Sequence, residues 1–257
     1  MSAGRVLGVI TARAGSKGIP GKNKRVFAGR PLLSYTCAAA REAKSLTDVL
    51  VSSDDEEILA LARNEDIEAL TRPAELAGDT AGSLEVLQHA VRHVESAHGY
   101  RPELIVTLQP TSPLRTGADI DACIALARRH DADAVVSVCE SEPHPNWLFR
   151  IEEEAGGARL LVPFLESRDA EKTRRQDFDP VYRFNGAMVY VSTYDHVMHQ
   201  GRVVGGSTVA HPMEAWRSID LDHPADWVVG ELVARHQDEI RERNEAIERE
   251  REERARR

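Results

Sequence analysis

Cysteine is scarce in this chain: Cys37, Cys123 and Cys139 are the only three among 257 residues. An odd number without paired spacing suggests neither a disulfide framework nor a cysteine-rich zinc site, so the three read as buried thiols. Long apolar runs are missing too. None approaches the roughly 18 residues of a membrane span, and the opening MSAGRVLGVITARAG has too short an apolar stretch for a signal peptide, so a cytoplasmic protein with no membrane partner is expected. Aromatic residues make up only 5% of a composition that is 42% hydrophobic and 29% charged, which describes a globular protein rather than a disordered one. Excess positive charge is also lacking. The net charge of −9 argues against a generic nucleic-acid binder, which usually carries a basic face.

One absence is local. Residues 1–41 contain no Asp or Glu but eight basic residues, Arg5, Arg13, Lys17, Lys22, Lys24, Arg25, Arg30 and Arg41, leaving the remainder at −17. A compact anionic ligand would be drawn to that end. Residues 235–257 hold eight Arg and eight acids, which cancel, and read as a charged helical tail.

Between the ends, strand-length apolar runs alternate with helical patterns. Strands are expected at Val6–Thr11, Val49–Ser52, Ile67–Leu70, Leu104–Leu108 and Ala134–Val138, and helices at Leu32–Ala43, Ser83–Ala97 and Thr116–Arg129. Ser53 and Glu56 form a capping-box pattern for another helix, and Ser83 reads as an N-cap. This alternation predicts an α/β fold with a mostly parallel, doubly wound sheet, whose ligands sit beyond the carboxyl ends of the strands. The rhythm breaks after Val138. Residues 140–182, with Pro143, Pro145, Gly156, Gly157 and Pro163, suggest an inserted β-rich arm rather than a second domain. Strands resume at Ala187–Val191 and Trp216–Leu221, and a long helix is expected from about Ala225. The expected organisation is one domain over 1–234, arm included, and the tail over 235–257.

The loop Arg13-Ala-Gly-Ser-Lys-Gly-Ile-Pro-Gly-Lys-Asn23 follows the first strand directly. Glycines 15, 18 and 21 let backbone amides approach a ligand, and Arg13, Lys17 and Lys22 can neutralise phosphate oxygens. It is neither a Walker loop, since the spacing is wrong and Asn23 replaces Ser/Thr, nor a dinucleotide G-x-G-x-x-G.

ITARAGSKGIPGKN resembles the amino-terminal signature of the acylneuraminate cytidylyltransferases, the CMP-sialic acid synthetases. The likeness recurs in order as VSSDDEEI, LQPTSPLR, RQDFDPVYRFNGAMVYV and SIDLD, with departures at Thr11, Ala14 and Val189. The resemblance implies a Rossmann-like nucleotidyltransferase in which a sugar acid's anomeric hydroxyl attacks the α-phosphorus of CTP, pyrophosphate leaves and Mg²⁺ assists. It further implies a homodimer joined through the arm. It places Arg13, Ser16, Lys17 and Lys22 on the triphosphate, Asn23 near the ribose or base, and Arg72, Ala81 and Ser83 around cytosine. It assigns Gln109, Arg175, Tyr182 and Asn185 to a nine-carbon sugar acid, with Arg175 suited to grip the carboxylate.

D-x-D occurs four times, and only Asp220-Leu-Asp222 closes an expected apolar strand, where period two would put both carboxylates on one face toward a Mg²⁺. With Arg13 and Lys22 these two aspartates make the candidate catalytic set. Plainer roles stand beside these: Arg72 as a turn residue before Pro73, Asp222 as a helix-dipole partner, Arg175 as one arginine in a solvated basic run. No general base stands out. Enzymes using legionaminic, pseudaminic or Kdo acids are the alternatives, although Kdo enzymes usually show Arg-Leu-Pro-Gly-Lys-Pro where this chain has Gly-Ile-Pro-Gly-Lys-Asn. A D-x-D glycosyltransferase would have no use for the phosphate loop.

Overall fold

The computed structural model describes residues 4–16, 18–78, 82–154, 156–166 and 174–255. Its centre is β1 (Val6–Thr11), a Val/Ile-rich run buried on both faces. Val6 and Ile10 enter one core and Leu7 and Val9 the other, as the two-residue period of a strand requires. A small ribbon of β2 (Val26–Phe27) and β3 (Arg30–Pro31) leads into α1 (Leu32–Glu42). Then come β4 (Asp48–Ser53), α2 (Glu56–Asn64), β5 (Glu68–Thr71), α3 (Ser83–Ala97), β6 (Leu104–Leu108), α4 (Gly117–His130) and β7 (Ala134–Glu140). A separate hairpin, β8 (Phe149–Glu153) with β9 (Arg159–Pro163), forms the arm. The chain returns through β10 (Tyr182–Phe184), β11 (Tyr190–Thr193), α5 (Tyr194–Met198) and β12 (Thr208–Met213), and ends in α6 (Pro224–Arg235) and α7 (Gln237–Ala255).

The sheet runs β10-β7-β11-β6-β1-β4-β5, with β12 along β7. Only β10 and β11 run against the rest, so the sheet is mostly parallel, as expected. Leu33 and Cys37 of α1, Ile58 of α2 and Ile120 of α4 pack on one face, and Leu87 and Val91 of α3 with Val197 of α5 on the other. All three cysteines are buried free thiols, as expected; burial pushes the Cys37 thiol up to about 12.

Several local expectations are corrected. The cap of α2 is Asp55, whose carboxylate accepts from Glu57 N at 2.8 Å, while Ser53 Oγ accepts from Asp55 N. Ser83 is the first residue of α3, and Gly82 takes the cap position. Residues 216–221 are not a strand: Ala215–Arg217 form a 3-10 turn and the chain then runs on irregularly, with Leu221 packed into a small core with Phe27 and Leu32. The strand in that region is β12, which the sequence reading missed. The long terminal helix is two helices with a break at His236.

Candidate active site

At the carboxyl ends of β1, β5 and β6 lies a cavity of about 490 Å³. Thr11, Arg13, Ser16, Gly18, Lys22 and Asn23 form one wall, Arg72, Gly82, Ser83 and Val86 a second, and Gln109, Pro110 and Thr111 a third, with Asp222 and His223 at the edge. Strand ends supply most of these positions because each parallel strand delivers its next loop to the same rim.

The basic loop is held from several sides. Ala14 N donates to Asp54 Oδ1 at 2.9 Å, and Asn23 Nδ2 donates to Arg13 O at 2.9 Å. Gly21 adopts φ +64°, the left-handed region that favours glycine, and starts the short turn at Lys22–Lys24. Gly18 is pressed against the opposite segment: a Cβ there would lie 1.9 Å from Asp222 O. Lys22 is buried, and its Nζ donates to Leu221 O at 2.6 Å and to Asp222 Oδ1 at 3.1 Å. The loop after β1 and the segment before α6, about 200 residues apart in sequence, thus meet through one ammonium group.

Arg72 is also buried. Its guanidinium donates to Ser52 O at 2.8 Å and Ser52 Oγ at 3.2 Å, and burial lowers its pKa from the usual arginine value. A cation retained in this position despite its desolvation is part of the cavity wall rather than a solvated turn residue. In the turn after β6, Arg115 is wholly enclosed and donates to Thr36 Oγ1 at 2.8 Å and to Gln109 O, so it braces the turn that presents Gln109. The segment leading to Asp222 is clamped to α4 by Arg217, whose Nη2 donates to the buried Asp119 carboxylate at 2.8 Å. Neither Arg115 nor Arg217 was singled out from sequence; an arginine beside prolines or apolar residues gives no sign of its partner.

Asp220 and Asp222 do not share a strand face, since the strand is absent, and their surroundings differ. Asp222 lines the cavity with its carboxylate 63% exposed beside Lys22. Asp220 is not among the lining residues. Burial pushes its carboxyl above the ordinary carboxylate range, the charges of Asp222 and Asp226 add to the effect, and Thr111 and Lys22 pull only part of the way back. Its Oδ1 is buried with no hydrogen-bond partner among the described residues. Gly186, at φ +69°, leaves it room: a Cβ there would lie 2.9 Å from Asp220 Cγ. A buried, orphaned carboxylate oxygen next to an exposed carboxylate is a donor set suited to a hard divalent cation.

The other expected residues divide. Asn185 is buried away from the cavity, its Oδ1 accepting from Ser137 Oγ at 2.8 Å and its Nδ2 donating to Ser218 Oγ at 3.1 Å. Tyr182 is exposed on β10 and does not line the cavity either. Lys17, Ala81 and the side chain of Arg175 lie outside the described residues. His223 also lines the cavity, and its backbone N–H donates to Asp226 Oδ2 at 2.7 Å at the start of α6.

The family model described as "Cytidylyltransferase" matches residues 7–204, a span that holds the loop, Arg72, Ser83 and Gln109. The chain belongs to the cytidylyltransferase family. It is 34% identical to the N-acylneuraminate cytidylyltransferase of Streptococcus agalactiae over 229 residues, 87% of this chain and 52% of that protein. The chain therefore spans about half the length of the first curated relatives it matches. With the CMP-N,N'-diacetyllegionaminic acid synthase of Legionella pneumophila it shares 30% identity over 89% of its own length and 96% of the relative's. A solved CMP:2-keto-3-deoxy-manno-octonic acid synthetase complexed with CTP has the same fold, with TM-score 0.65, 16% identity, and coverage of 91% of this chain and 99% of that one.

Proposed function

We propose that this cytidylyltransferase moves CMP from CTP onto the anomeric hydroxyl of a nine-carbon sugar acid and releases pyrophosphate. The observation that carries this reading is the buried Lys22 bridging the phosphate-type loop to Asp222 across a cavity that also holds Arg13 and Arg72. Arg13, Ser16, Lys17 and Lys22 bind the triphosphate, Asn23 serves the ribose or base, and Arg72, Ala81 and Ser83 hold cytosine, whose edge needs both a donor and an acceptor. Gln109 offers both to a sugar hydroxyl. Tyr182, Arg175 and Asn185 act from the arm's return, Asn185 by fixing that segment through Ser137 and Ser218.

The anomeric oxygen forms a bond to the α-phosphorus as the bond to the bridging oxygen of pyrophosphate breaks. The attacking hydroxyl's proton leaves to solvent. Lys22 and Arg13 hold the charge that builds on the phosphate oxygens, and the closed geometry of the loop against Asp222 orients the nucleotide for in-line attack. Asp220 and Asp222 are the residues that would hold Mg²⁺, which when bound polarises the phosphate and neutralises the departing pyrophosphate.

A second reading within the class, a diacetyllegionaminic acid as the acceptor, is favoured by the near full-length match to the Legionella relative. Pyrophosphate release with Mg²⁺, measured over four nucleoside triphosphates against N-acetylneuraminic, legionaminic, pseudaminic and Kdo acids, decides both. CTP with a nine-carbon acid is the expected productive pair; turnover with Kdo alone would overturn the acceptor assignment. The arm supports a homodimer: Ile151, Leu161 and Phe164 are 63%, 68% and 55% exposed, an apolar surface that a second copy of the hairpin could cover. A cytoplasmic site of action is part of this reading; no helix among the described residues is long and apolar enough to cross a membrane.

A further inference from the structure

Far from the cleft, three ligand-type side chains converge. Glu68 opens β5, the last strand of the sheet, while Arg72 follows the other end of that strand and lines the cavity. The two groups are therefore at opposite ends of one strand. His93 lies on α3 and His98 is the residue that ends it. Both Nε2 atoms point at the same carboxylate oxygen, His93 at 2.6 Å and His98 at 3.1 Å from Glu68 Oε1, and the three atoms all lie within 4.8 Å of one another. Their rings sit edge to face, 5.8 Å between centroids.

We propose that Glu68, His93 and His98 bind a zinc-type divalent cation that straps the edge strand to the end of α3. Two imidazole nitrogens and one carboxylate oxygen are a donor set suited to Zn²⁺ and its neighbours in the transition series; Mg²⁺, which takes oxygen ligands and keeps its waters, has little use for it. In a tetrahedral site with bonds of about 2.0–2.1 Å, ligand atoms stand about 3.3 Å apart, so the two oxygen-to-nitrogen distances of 2.6 and 3.1 Å need open by less than about 1 Å to admit the ion. The side chains are 28% to 40% exposed, which leaves solvent to fill the remaining coordination position and gives the ion a way in. The ligands come from residues 25 and 30 positions apart, so the ion would tie two elements that the chain joins only through the long loop before α3.

The test uses tag-free, chelator-treated full-length protein with excess Mg²⁺ present to occupy the carboxylates of the cleft. Titration with Co²⁺ should give a visible d–d band of low-symmetry, nitrogen-containing coordination that saturates at one equivalent. Zn²⁺ should bleach it, and should raise the unfolding temperature. Glu68→Gln, His93→Ala and His98→Ala should each weaken Zn²⁺ binding at least tenfold and abolish the thermal shift, while the metal-free unfolding temperature of His98→Ala, at an exposed helix end, stays close to that of the parent. The absence of saturable binding, or binding that all three variants retain, would overturn the proposal.

Discussion

A methyl group at position 18 would have to displace the backbone of Asp222, and that single contact makes the site sensitive to its smallest residue. Gly18→Ala should cost about 1–3 kcal/mol of stability through overpacking and should reduce turnover as Asp222 moves away from Lys22, checked by thermal unfolding alongside steady-state kinetics. Asp222→Asn keeps the shape and removes the charge. Because the carboxylate is solvent-reached, the fold should survive while kcat falls by about 10² or more, near 3 kcal/mol of lost transition-state stabilisation. Activity within about twofold of the parent at saturating Mg²⁺ would refute its role. At this scale the sequence was informative where residues share one loop: Arg13, Ser16, Lys22 and Asn23 all reach the cavity. It was misleading about the geometry of Asp220 and Asp222, because the spacing argument assumed a strand with both carboxylates on one face, whereas the segment is irregular and only Asp222 lines the cavity.

The segment 215–222 shows why. Its alternation of Ile219 and Leu221 with Ser218, Asp220 and Asp222 has the period of a strand, yet the apolar groups serve a satellite core, with Leu221 buried beside Phe27 and Ile219 and Trp227 packed around them. Meanwhile β12, Thr208–Met213, carries a histidine and a proline that disguise it as loop, and it forms because β7 has an edge to pair. What fixes 215–222 is the Arg217–Asp119 pair, invisible to any local pattern because its members are 98 positions apart. Burial would raise the Asp119 carboxyl, but Arg217 and the Thr116 cap outweigh it and hold it below the ordinary value of 3.8. Its stabilising contribution is therefore present above that value and lost as pH falls through the lowered native one. Asp119→Asn, which leaves Arg217 only its exposed partner Glu214, 2.6 Å from Nε, should cost about 1–3 kcal/mol at pH 7. The gap to the parent protein should close as denaturation is repeated toward pH 3; a gap independent of pH would mean that packing, not charge, joins the two elements.

Across the whole molecule, the alternation of strands and helices gave away the sheet because each βαβ step buries its own apolar pattern. The partner proposed for the arm leaves no such trace, since a surface that another copy would cover looks like any exposed apolar hairpin. Leu161→Asp should shift sedimentation from dimer to monomer if Leu161 is covered by a second subunit, and should change nothing otherwise. Deleting residues 248–257 removes solvent-facing charge and Arg251, which reaches a second cavity beside Glu140 and Glu142, but no core side chain among the described residues, so oligomeric state and turnover should persist. The most direct test of the central claim is the rate of pyrophosphate release from CTP and a nonulosonic acid for the parent protein and Lys22→Met side by side. Robust release that requires both substrates and falls by about 10² or more in the variant is predicted. Release from CTP without the acid, or an unaffected variant, would contradict the account.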